Sequence, residues 1–116
     1  MKTFLSGLGL AWVEETSMSK DPVKADPKHY KVEFENEKVR VLRVSYGSRE
    51  KSVMHGHPNA VAVFLADAQA KFTYPDGKKE NIKMKAGQAA WFPPVEHLPE
   101  NTSSKSIELI FVELKK

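Results

Sequence analysis

The sequence contains no cysteine, which excludes disulfide bonds, thiolate metal ligands and cysteine nucleophiles together. It also has no dense run of lysine or arginine, because its net charge of +3 is spread over 116 residues. Nucleic-acid binding needs a concentrated positive surface, so we expect no nucleic-acid partner. No apolar stretch reaches the roughly 20 residues that a membrane span requires, so we expect no membrane partner either.

The first thirteen residues, MKTFLSGLGLAWV, form an apolar segment that is too short to cross a bilayer. No clear small-x-small cleavage site follows it, so we interpret it as an extension and expect a cytoplasmic protein. A periplasmic or secreted protein is the alternative if the segment is a signal remnant. Asp21-Pro22 and Asp26-Pro27 then indicate a linker. We therefore divide the chain into an N-terminal arm and linker, residues 1–29, and one domain, residues 30–116.

From residue 30 onward the sequence predicts short strands separated by turns. Val32 and Phe34 alternate with charged residues, which is the period of two expected of a half-buried strand. Pro75-Asp76-Gly77 is typical of a tight turn, Ala86-Gly87 predicts another turn, and the segment after His97, rich in Asn, Thr, Ser and Lys, predicts a loop. A last strand is predicted from Ile107 to Leu114. Seven to nine such strands, with no amphipathic helix after residue 20, predict an all-β sandwich or barrel.

Three of the four histidines lie where they predict a metal site. His55 and His57 form an H-x-H pair in a predicted strand, where alternation directs both side chains to one face. His97 follows a further strand and is expected to reach the same cavity. We therefore predict that His55, His57 and His97 hold one divalent transition metal, for which neutral imidazole favours Fe, Zn, Ni or Cu over Mn. The alternative is that the histidines are structural and bind no metal.

Spaced motifs around these histidines resemble those of the cupin superfamily over about residues 30 to 114. Gly47 precedes His55-Gly56-His57-Pro58, the segment from Gly87 to Pro93 has the spacing Gly-x5-Pro, and His97 to Asn101 has the spacing His-x3-Asn. The resemblance implies a small double-stranded β-helix, or jelly-roll, barrel with an N-terminal extension. It also implies a homodimer formed through strands or N-terminal arms, and the apolar stretch from Phe4 to Val13 is the contact that we expect.

The sequence departs from the cupin pattern at one metal ligand. The first cupin motif contains a glutamate that would fall at Val61 or Ala62, and neither side chain can bind a metal. Three imidazoles leave coordination positions open, which is typical of a catalytic site. Candidates to replace the missing carboxylate as a ligand are Asn59, Gln88 and Glu96, none of which the motif places at the site.

Other polar and aromatic residues are candidates for the surroundings of the site. His29 precedes the first predicted barrel strand, so we expect it at the surface, with a position at the barrel mouth as the alternative. Tyr46 and Arg43 are candidates for a proton donor or an anion contact. A barrel of this size holds one small ligand. The candidates for its walls, of which at most two are expected to face the site because neighbours alternate, are Phe64, Phe72, Trp91 and Phe92.

The resemblance also suggests an activity. Three-His iron sites occur among the thiol and diketone dioxygenases of the cupin superfamily. It therefore implies a metal-dependent enzyme acting on a small organic molecule, with dioxygenase-type chemistry favoured over isomerase or hydrolase chemistry. The lost glutamate favours the alternative of a non-catalytic module that binds a metal or a small ligand.

Overall fold

A computed structural model describes residues 20–116 in full and the backbone of residues 5–6 and 10–11. These two short N-terminal segments form an antiparallel pair, β1 (Leu5–Ser6) and β2 (Leu10–Ala11). The predicted partner contact through Phe4 to Val13 otherwise lies outside the described residues. No helix in the described part of the chain is long and apolar enough to cross a membrane.

Residues 20–116 form one short helix followed by nine strands, which confirms the predicted all-β class. The helix begins at the N-cap Asp21, whose carboxylate accepts the Lys24 backbone N–H, and a proline occupies its first turn. The elements are α1 (Pro22–Ala25), β3 (Tyr30–Glu35), β4 (Val39–Tyr46), β5 (His55–His57), β6 (Ala60–Phe64), β7 (Ala68–Thr73), β8 (Lys79–Met84), β9 (Ala89–Phe92), β10 (Val95–Asn101) and β11 (Ile107–Leu114).

The nine strands form two antiparallel sheets with non-sequential strand orders. A four-stranded sheet has the order β5-β10-β7-β8, and a five-stranded sheet has the order β3-β4-β11-β6-β9. The chain crosses repeatedly from one sheet to the other, which is the connectivity of a jelly roll. The core lies between the sheets, and its buried members are Tyr30, Leu42, Val44, Tyr46, Ala60, Ala62, Phe64, Ala68, Ile107 and Phe111.

Strand β6 shows why these segments are strands with one face on the core. Ala60, Ala62 and Phe64 are buried, whereas Val61 and Val63 between them are only half-buried. This alternation matches the pleat, in which successive side chains point to opposite faces. The small alanines on the inner face leave space in the barrel interior for larger side chains of neighbouring strands.

The structure confirms the two turns predicted at glycines, but the loop predicted after His97 was wrong. Gly77 and Gly87 have φ of 89° and 88°, so each predicted turn uses the left-handed conformation that glycine adopts without strain. The segment after His97 was expected to be a loop, yet β10 continues to Asn101. Leu98 to Asn101 pair with β7, and these backbone hydrogen bonds outweigh the weak strand propensity of proline and asparagine there.

Candidate metal centre

The three predicted histidines meet in the barrel interior because β5 and β10 are adjacent. His97 pairs directly with His55, and His57 pairs with Val95 two residues away. All three histidines are buried, and one nitrogen of each ring lies within 4.8 Å of one nitrogen of each of the other two. The predicted convergence of two distant segments on one point is therefore present in the structure.

The three imidazole rings are arranged almost at right angles to one another. The centroids of His55 and His57 are 4.8 Å apart with an interplanar angle of 89°, and those of His55 and His97 are 5.0 Å apart at 86°. His57 and His97 are 5.2 Å apart at 88°. Packing of aromatic rings in a core does not require their nitrogens to lie close together, as they do here. Three mutually perpendicular rings suit three facial positions around one ion.

The nitrogen atoms of these rings are unusual in lacking partners. Within residues 20–116, the buried side-chain atoms without a hydrogen bond are His55 Nε2 and both ring nitrogens of His97, and all belong to this trio. A buried polar atom without a partner destabilises the fold by about 1–3 kcal/mol. A metal ion bound by neutral imidazoles would satisfy such atoms, so the residues fit a divalent metal.

Hydrogen bonds on the far side of two rings determine which nitrogen faces the centre. His55 donates Nδ1–H to the Val53 carbonyl at 2.8 Å, and His57 donates Nδ1–H to the Glu113 carboxylate at 2.8 Å. Each ring therefore keeps the lone pair of Nε2 for a ligand. A carboxylate or carbonyl behind a histidine is the usual support of a metal-binding imidazole.

Glu113 is the buried end of a chain of three charged residues. Its other oxygen accepts a hydrogen bond from Arg40 Nε at 2.8 Å, and Arg40 also forms an ion pair with Asp21 at 2.6 Å. Glu113 was not among the residues predicted from the sequence. A usable signal was present in β11, where the inward-facing series Ile107, Leu109 and Phe111 continues with a glutamate. A charged residue at an expected core position is rare without a specific partner.

Burial keeps two of the histidines neutral. Removal from water lowers the pKa of His55 to about 4, and the neighbouring His57 contributes in the same direction. Burial lowers the pKa of His97 to about 2, with further contributions from the other two rings. Neutral imidazole is the form that binds a metal, so both rings are ready to bind at physiological pH.

Two of the three sequence candidates for the missing glutamate, Gln88 and Glu96, are turned away from this site. Among residues 20–116, the group of possible ligands contains the three histidines only. Ala62 is fully buried opposite Phe111, and it occupies the inward position where a motif carboxylate would stand. Gln88 instead caps a turn through the Lys85 backbone N–H, and Glu96 precedes His97 on the strand and therefore points to the other face.

His29 is not a surface residue, so that expectation was wrong. Its side chain is buried and stacks on Tyr46 at a centroid distance of 4.3 Å. The Nδ1 atom lies 2.7 Å from Asp26, and the Nε2 atom lies 2.9 Å from Glu50. The turn after α1 places Asp26 beside His29, so each ring nitrogen of this buried imidazole has a carboxylate partner. Ser52 donates to Asp26 at 2.5 Å and lies 3.3 Å from His55 Nδ1, which links this polar cluster to the trio.

A cavity of about 60 Å³ opens beside His57 and His97. Three aromatic candidates for its walls, Phe64, Phe72 and Phe92, line it, whereas Trp91 is 56 % exposed on the opposite face. The expectation that at most two would face the site was therefore wrong, because these residues lie on three different strands rather than being sequence neighbours. The remaining apolar lining is Val44, Ala68, Ala70, Ile82, Pro99, Ile107, Leu109 and Phe111.

The polar groups of the cavity include two tyrosines. The hydroxyls of Tyr30 and Tyr46 are hydrogen-bonded at 2.7 Å, and both residues line the cavity. Burial raises the pKa of each above its usual value, so both hydroxyls stay protonated. One O–H donates to the other hydroxyl, and the pair keeps one O–H that can donate to a ligand. Tyr46 thus lies where a proton donor was proposed. Arg43 does not, because it is paired with Glu33 and Glu108 on the outer face of the five-stranded sheet.

The asparagine of the His-x3-Asn spacing has a structural role. Asn101 is almost fully buried, and its amide donates to the carbonyls of Gly47 and Lys105. Its side-chain oxygen accepts the backbone N–H of Ser103. These bonds organise the turn between β10 and β11, which places β11 and its Glu113 in register with the site.

Comparison with solved structures identifies the fold. A cupin domain from Bordetella pertussis superposes with a TM-score of 0.70 at 22% identity, covering 75% of this chain and 92% of the other. An RmlC-like cupin from Methanocaldococcus jannaschii, with a double-stranded β-helix fold, gives a TM-score of 0.58 at 20% identity over 90% and 93%. Comparison with protein-family models and with curated proteins finds no match.

A functionally named neighbour has the same fold. The DMSP lyase DddQ from Ruegeria pomeroyi gives a TM-score of 0.56 at 12% identity, covering 78% of this chain and 49% of that protein. The resemblance to cupins that the motifs indicate is therefore confirmed in the fold. This chain has the double-stranded β-helix fold of cupins, with three buried histidines that can hold a metal ion.

Proposed function

We propose that this chain, which has the cupin fold, is a metal-dependent enzyme that acts on a small organic molecule at a three-His site. The observation that carries the proposal is the set of unpartnered nitrogens of His55 and His97 in a part of the chain where other buried polar side-chain atoms are bonded. Folding retains such atoms at a cost in stability, which argues for a ligand that they bind.

Residues around the trio prepare it for a metal. Glu113 and the Val53 carbonyl hold two rings in the tautomer that presents Nε2 to the centre. One aromatic ring packs against each imidazole: Tyr30 on His55, Phe111 on His57 and Phe72 on His97. The chemistry that a bound divalent metal supplies at such a site is polarisation of a coordinated group or, for iron, redox chemistry.

The cavity determines what kind of substrate fits. Its walls are predominantly apolar, and the Tyr30–Tyr46 hydroxyl pair offers a hydrogen-bond donor. Since one water needs about 10–15 Å³ of such volume, the cavity has room for about four to six water-sized groups. These features favour a small, largely apolar substrate with one or two polar atoms, held with its polar end towards His57 and His97.

Dioxygenase-type chemistry is the reaction class that we favour. Three neutral imidazoles add no negative charge to the ion, and they suit Fe(II), Zn, Cu or Ni better than Mn. The apolar walls exclude water, which protects reactive intermediates. Protonated tyrosine hydroxyls supply a hydrogen bond to an oxygen atom of the substrate.

A non-catalytic metal- or ligand-binding module is the second candidate, and one observation favours it. Among the described residues, the group of possible metal ligands contains no carboxylate. The usual cupin glutamate could serve as both ligand and proton acceptor, so its replacement by Ala62 removes a candidate base from the site.

Metal analysis of protein purified without a histidine tag tests the site. We expect about one Fe, Zn, Ni or Cu per chain, and loss of that metal in His55→Ala. Occupancy below one-tenth with every one of these metals offered would contradict the proposal.

Oxygen consumption separates enzyme from binding module. The Fe(II)-loaded protein is screened with small thiols, diketones and phenols, and His97→Ala serves as the metal-free control. We expect substrate-dependent oxygen uptake by the wild type alone. Stoichiometric metal without uptake for any of the three classes would favour the binding module.

A further inference from the structure

The fold gathers positive side chains that lie far apart in the sequence. A groove of about 390 Å³, called the basic groove below, opens at one end of the four-stranded sheet. It lies between the start of β7, the end of β8 and the turn that joins β10 to β11. Its cations come from three separate segments of the chain and are Arg49, Lys83, Lys85 and Lys105. Among the described residues that line it, Asp67 is the one carboxylate.

The charge of the basic groove equals the net charge of the whole chain. The sequence has 18 Lys and Arg residues against 15 Asp and Glu residues. Four of these cations and one of these carboxylates line the groove, which leaves 14 of each for the rest of the chain. The net charge of +3 is dispersed in the sequence but concentrated in the fold. A cleft lined by charges of one sign focuses the electric field and attracts ions of the opposite sign.

The cations of the basic groove have no ion-pair partner within residues 20–116. None of the four takes part in an ion pair there, whereas Arg40 and Arg43 each pair with two carboxylates. Lys83 and Lys85 are both exposed and lie two positions apart, which corresponds to about 7 Å along an extended chain. Like charges at this distance repel each other. An anion bound between them would relieve that repulsion.

Arg49 reaches the basic groove from a strained backbone conformation. Its φ is 62°, and among the described residues it has a positive φ without being glycine. The backbone N–H of Arg49 donates to the Ser103 carbonyl at 3.1 Å, and its guanidinium donates to the Thr102 carbonyl at 2.8 Å. These bonds hold the guanidinium against the turn that forms one wall of the groove. Backbone strain of this kind is concentrated at ligand-binding sites.

We propose that the basic groove binds a small organic anion through a diphosphate group. A guanidinium matches two phosphate oxygens at once, and lysine ammonium groups add point charges. Thr102 and Ser104, which also line the groove, carry hydroxyl donors. A diphosphate carries two to three negative charges at neutral pH, which matches the net charge of the groove. The volume lies within the range of small-molecule sites, about 300–1,000 Å³.

The anion site is distinct from the three-His site. The described residues that line the basic groove include no histidine, and the described residues that line the cavity beside His57 and His97 include none of the four cations. The proposal therefore does not rest on metal binding. It also differs from nucleic-acid binding, which needs cations along an extended surface rather than in one groove.

Isothermal titration calorimetry of the full chain, freed of metal and dialysed, tests the proposal with inorganic pyrophosphate as the probe. We expect one site per chain, and inorganic phosphate should bind about tenfold more weakly because it carries fewer charges. ADP, an organic diphosphate, should bind at least as tightly as pyrophosphate. No binding of pyrophosphate, or equal affinity for phosphate and pyrophosphate, would overturn the proposal.

Paired substitutions locate the site. Lys83→Gln with Lys105→Gln should weaken pyrophosphate binding at least tenfold, and both side chains are exposed, so the fold should tolerate the change. Lys38→Gln with Lys79→Gln removes the same two charges from exposed positions outside the groove and should bind as the wild type does. Equal weakening in both pairs would show attraction by net charge alone and would overturn the site.

Two single variants complete the test. Arg49→Gly removes the guanidinium and places at this φ the residue that tolerates it, so the variant should fold and should bind pyrophosphate at least tenfold more weakly. Thermal unfolding checks that it is folded, and wild-type affinity in the folded variant would contradict the proposal. His97→Ala should bind pyrophosphate as the wild type does. Loss of binding in His97→Ala would place the anion at the histidine trio and overturn the assignment to the groove.

Discussion

Two kinds of buried histidine lie close together in this structure: His29, and the trio of His55, His57 and His97. Their surroundings differ. His29 has a carboxylate at each ring nitrogen, from Asp26 and from Glu50. His97 has no hydrogen-bond partner at either nitrogen, although it is equally buried. Ser52 lies between the groups and contacts Asp26 on one side and His55 on the other.

The difference distinguishes a histidine whose nitrogens are bonded within the protein from histidines that have nitrogens available to bind a ligand. Burial of an imidazole is tolerated when its nitrogens are bonded within the protein, as at His29. Where they are not bonded, the destabilisation persists until something outside the chain binds them. Burial alone does not distinguish the structural histidine from the candidate metal ligands, because both are buried. The presence or absence of hydrogen-bond partners at the ring nitrogens does distinguish them.

The largest expected effect comes from removing His97. We expect His97→Ala to reduce metal content from about one ion per chain to below one-tenth, because two imidazoles alone do not make a tight site. His29→Ala is the matched control and should keep full occupancy. Elemental analysis after dialysis against a chelator-free buffer measures both, and equal metal loss in the two variants would erase the distinction between the groups.

A second prediction concerns the stability of the metal-free protein at low pH. In the folded state the pKa of His55 is about 4 and that of His97 about 2, whereas unfolded imidazoles titrate near 6.5. The unfolded chain therefore binds more protons below pH 6.5, and the free energy of unfolding should fall as pH decreases from 6.5 towards 4. The slope is at most about 1.4 kcal/mol per pH unit for each ring.

Urea unfolding in the presence of a chelator, between pH 4 and 8, measures that slope. Carboxylates titrate in the same range, so His97→Phe provides the reference. The free energy of unfolding of this variant should depend less steeply on pH than that of the wild type, by up to the contribution of one ring. Equal slopes would show that burial does not keep His97 neutral.

A third prediction concerns the support of His57. We expect Glu113→Gln to weaken metal binding by about 10- to 100-fold, because a neutral amide is a poorer acceptor for the Nδ1–H of His57. Glu108→Gln on the outer face of the same strand is the matched control, and its affinity should match that of the wild type. Competition with a chromogenic chelator gives both affinities, and an unchanged Glu113→Gln would show that this carboxylate only pairs with Arg40.

The smallest expected effect is on the stability contributed by His29. His29→Ala leaves the buried Asp26 with fewer partners and should lower the free energy of unfolding by about 1–3 kcal/mol. Metal affinity should change less than threefold. Chemical denaturation of metal-free protein measures the loss of stability, and chelator competition measures the metal affinity. A large loss of affinity would mean that the hydrogen bonds of Ser52 with Asp26 and His55 matter for metal binding.

Local patterns were sufficient for the all-β class and for the three candidate ligands. The period of two in segments such as β6 follows from the pleat, which acts on each residue wherever it lies in the chain. The same rule directs His55 and His57 to one face. The glycine turns at Gly77 and Gly87 are equally local, since a positive φ is a property of a single residue.

Long-range contacts determined the rest. The buried His29 bonds Glu50, which lies 21 positions away and which the folded chain brings to it from a loop. Glu113 reaches His57 across 56 positions only because β11 passes beside β6 at that register. The cavity walls come from several strands of both sheets. Partners so distant in the chain leave no period in the amino-acid order, so these features appear only once the two sheets have packed.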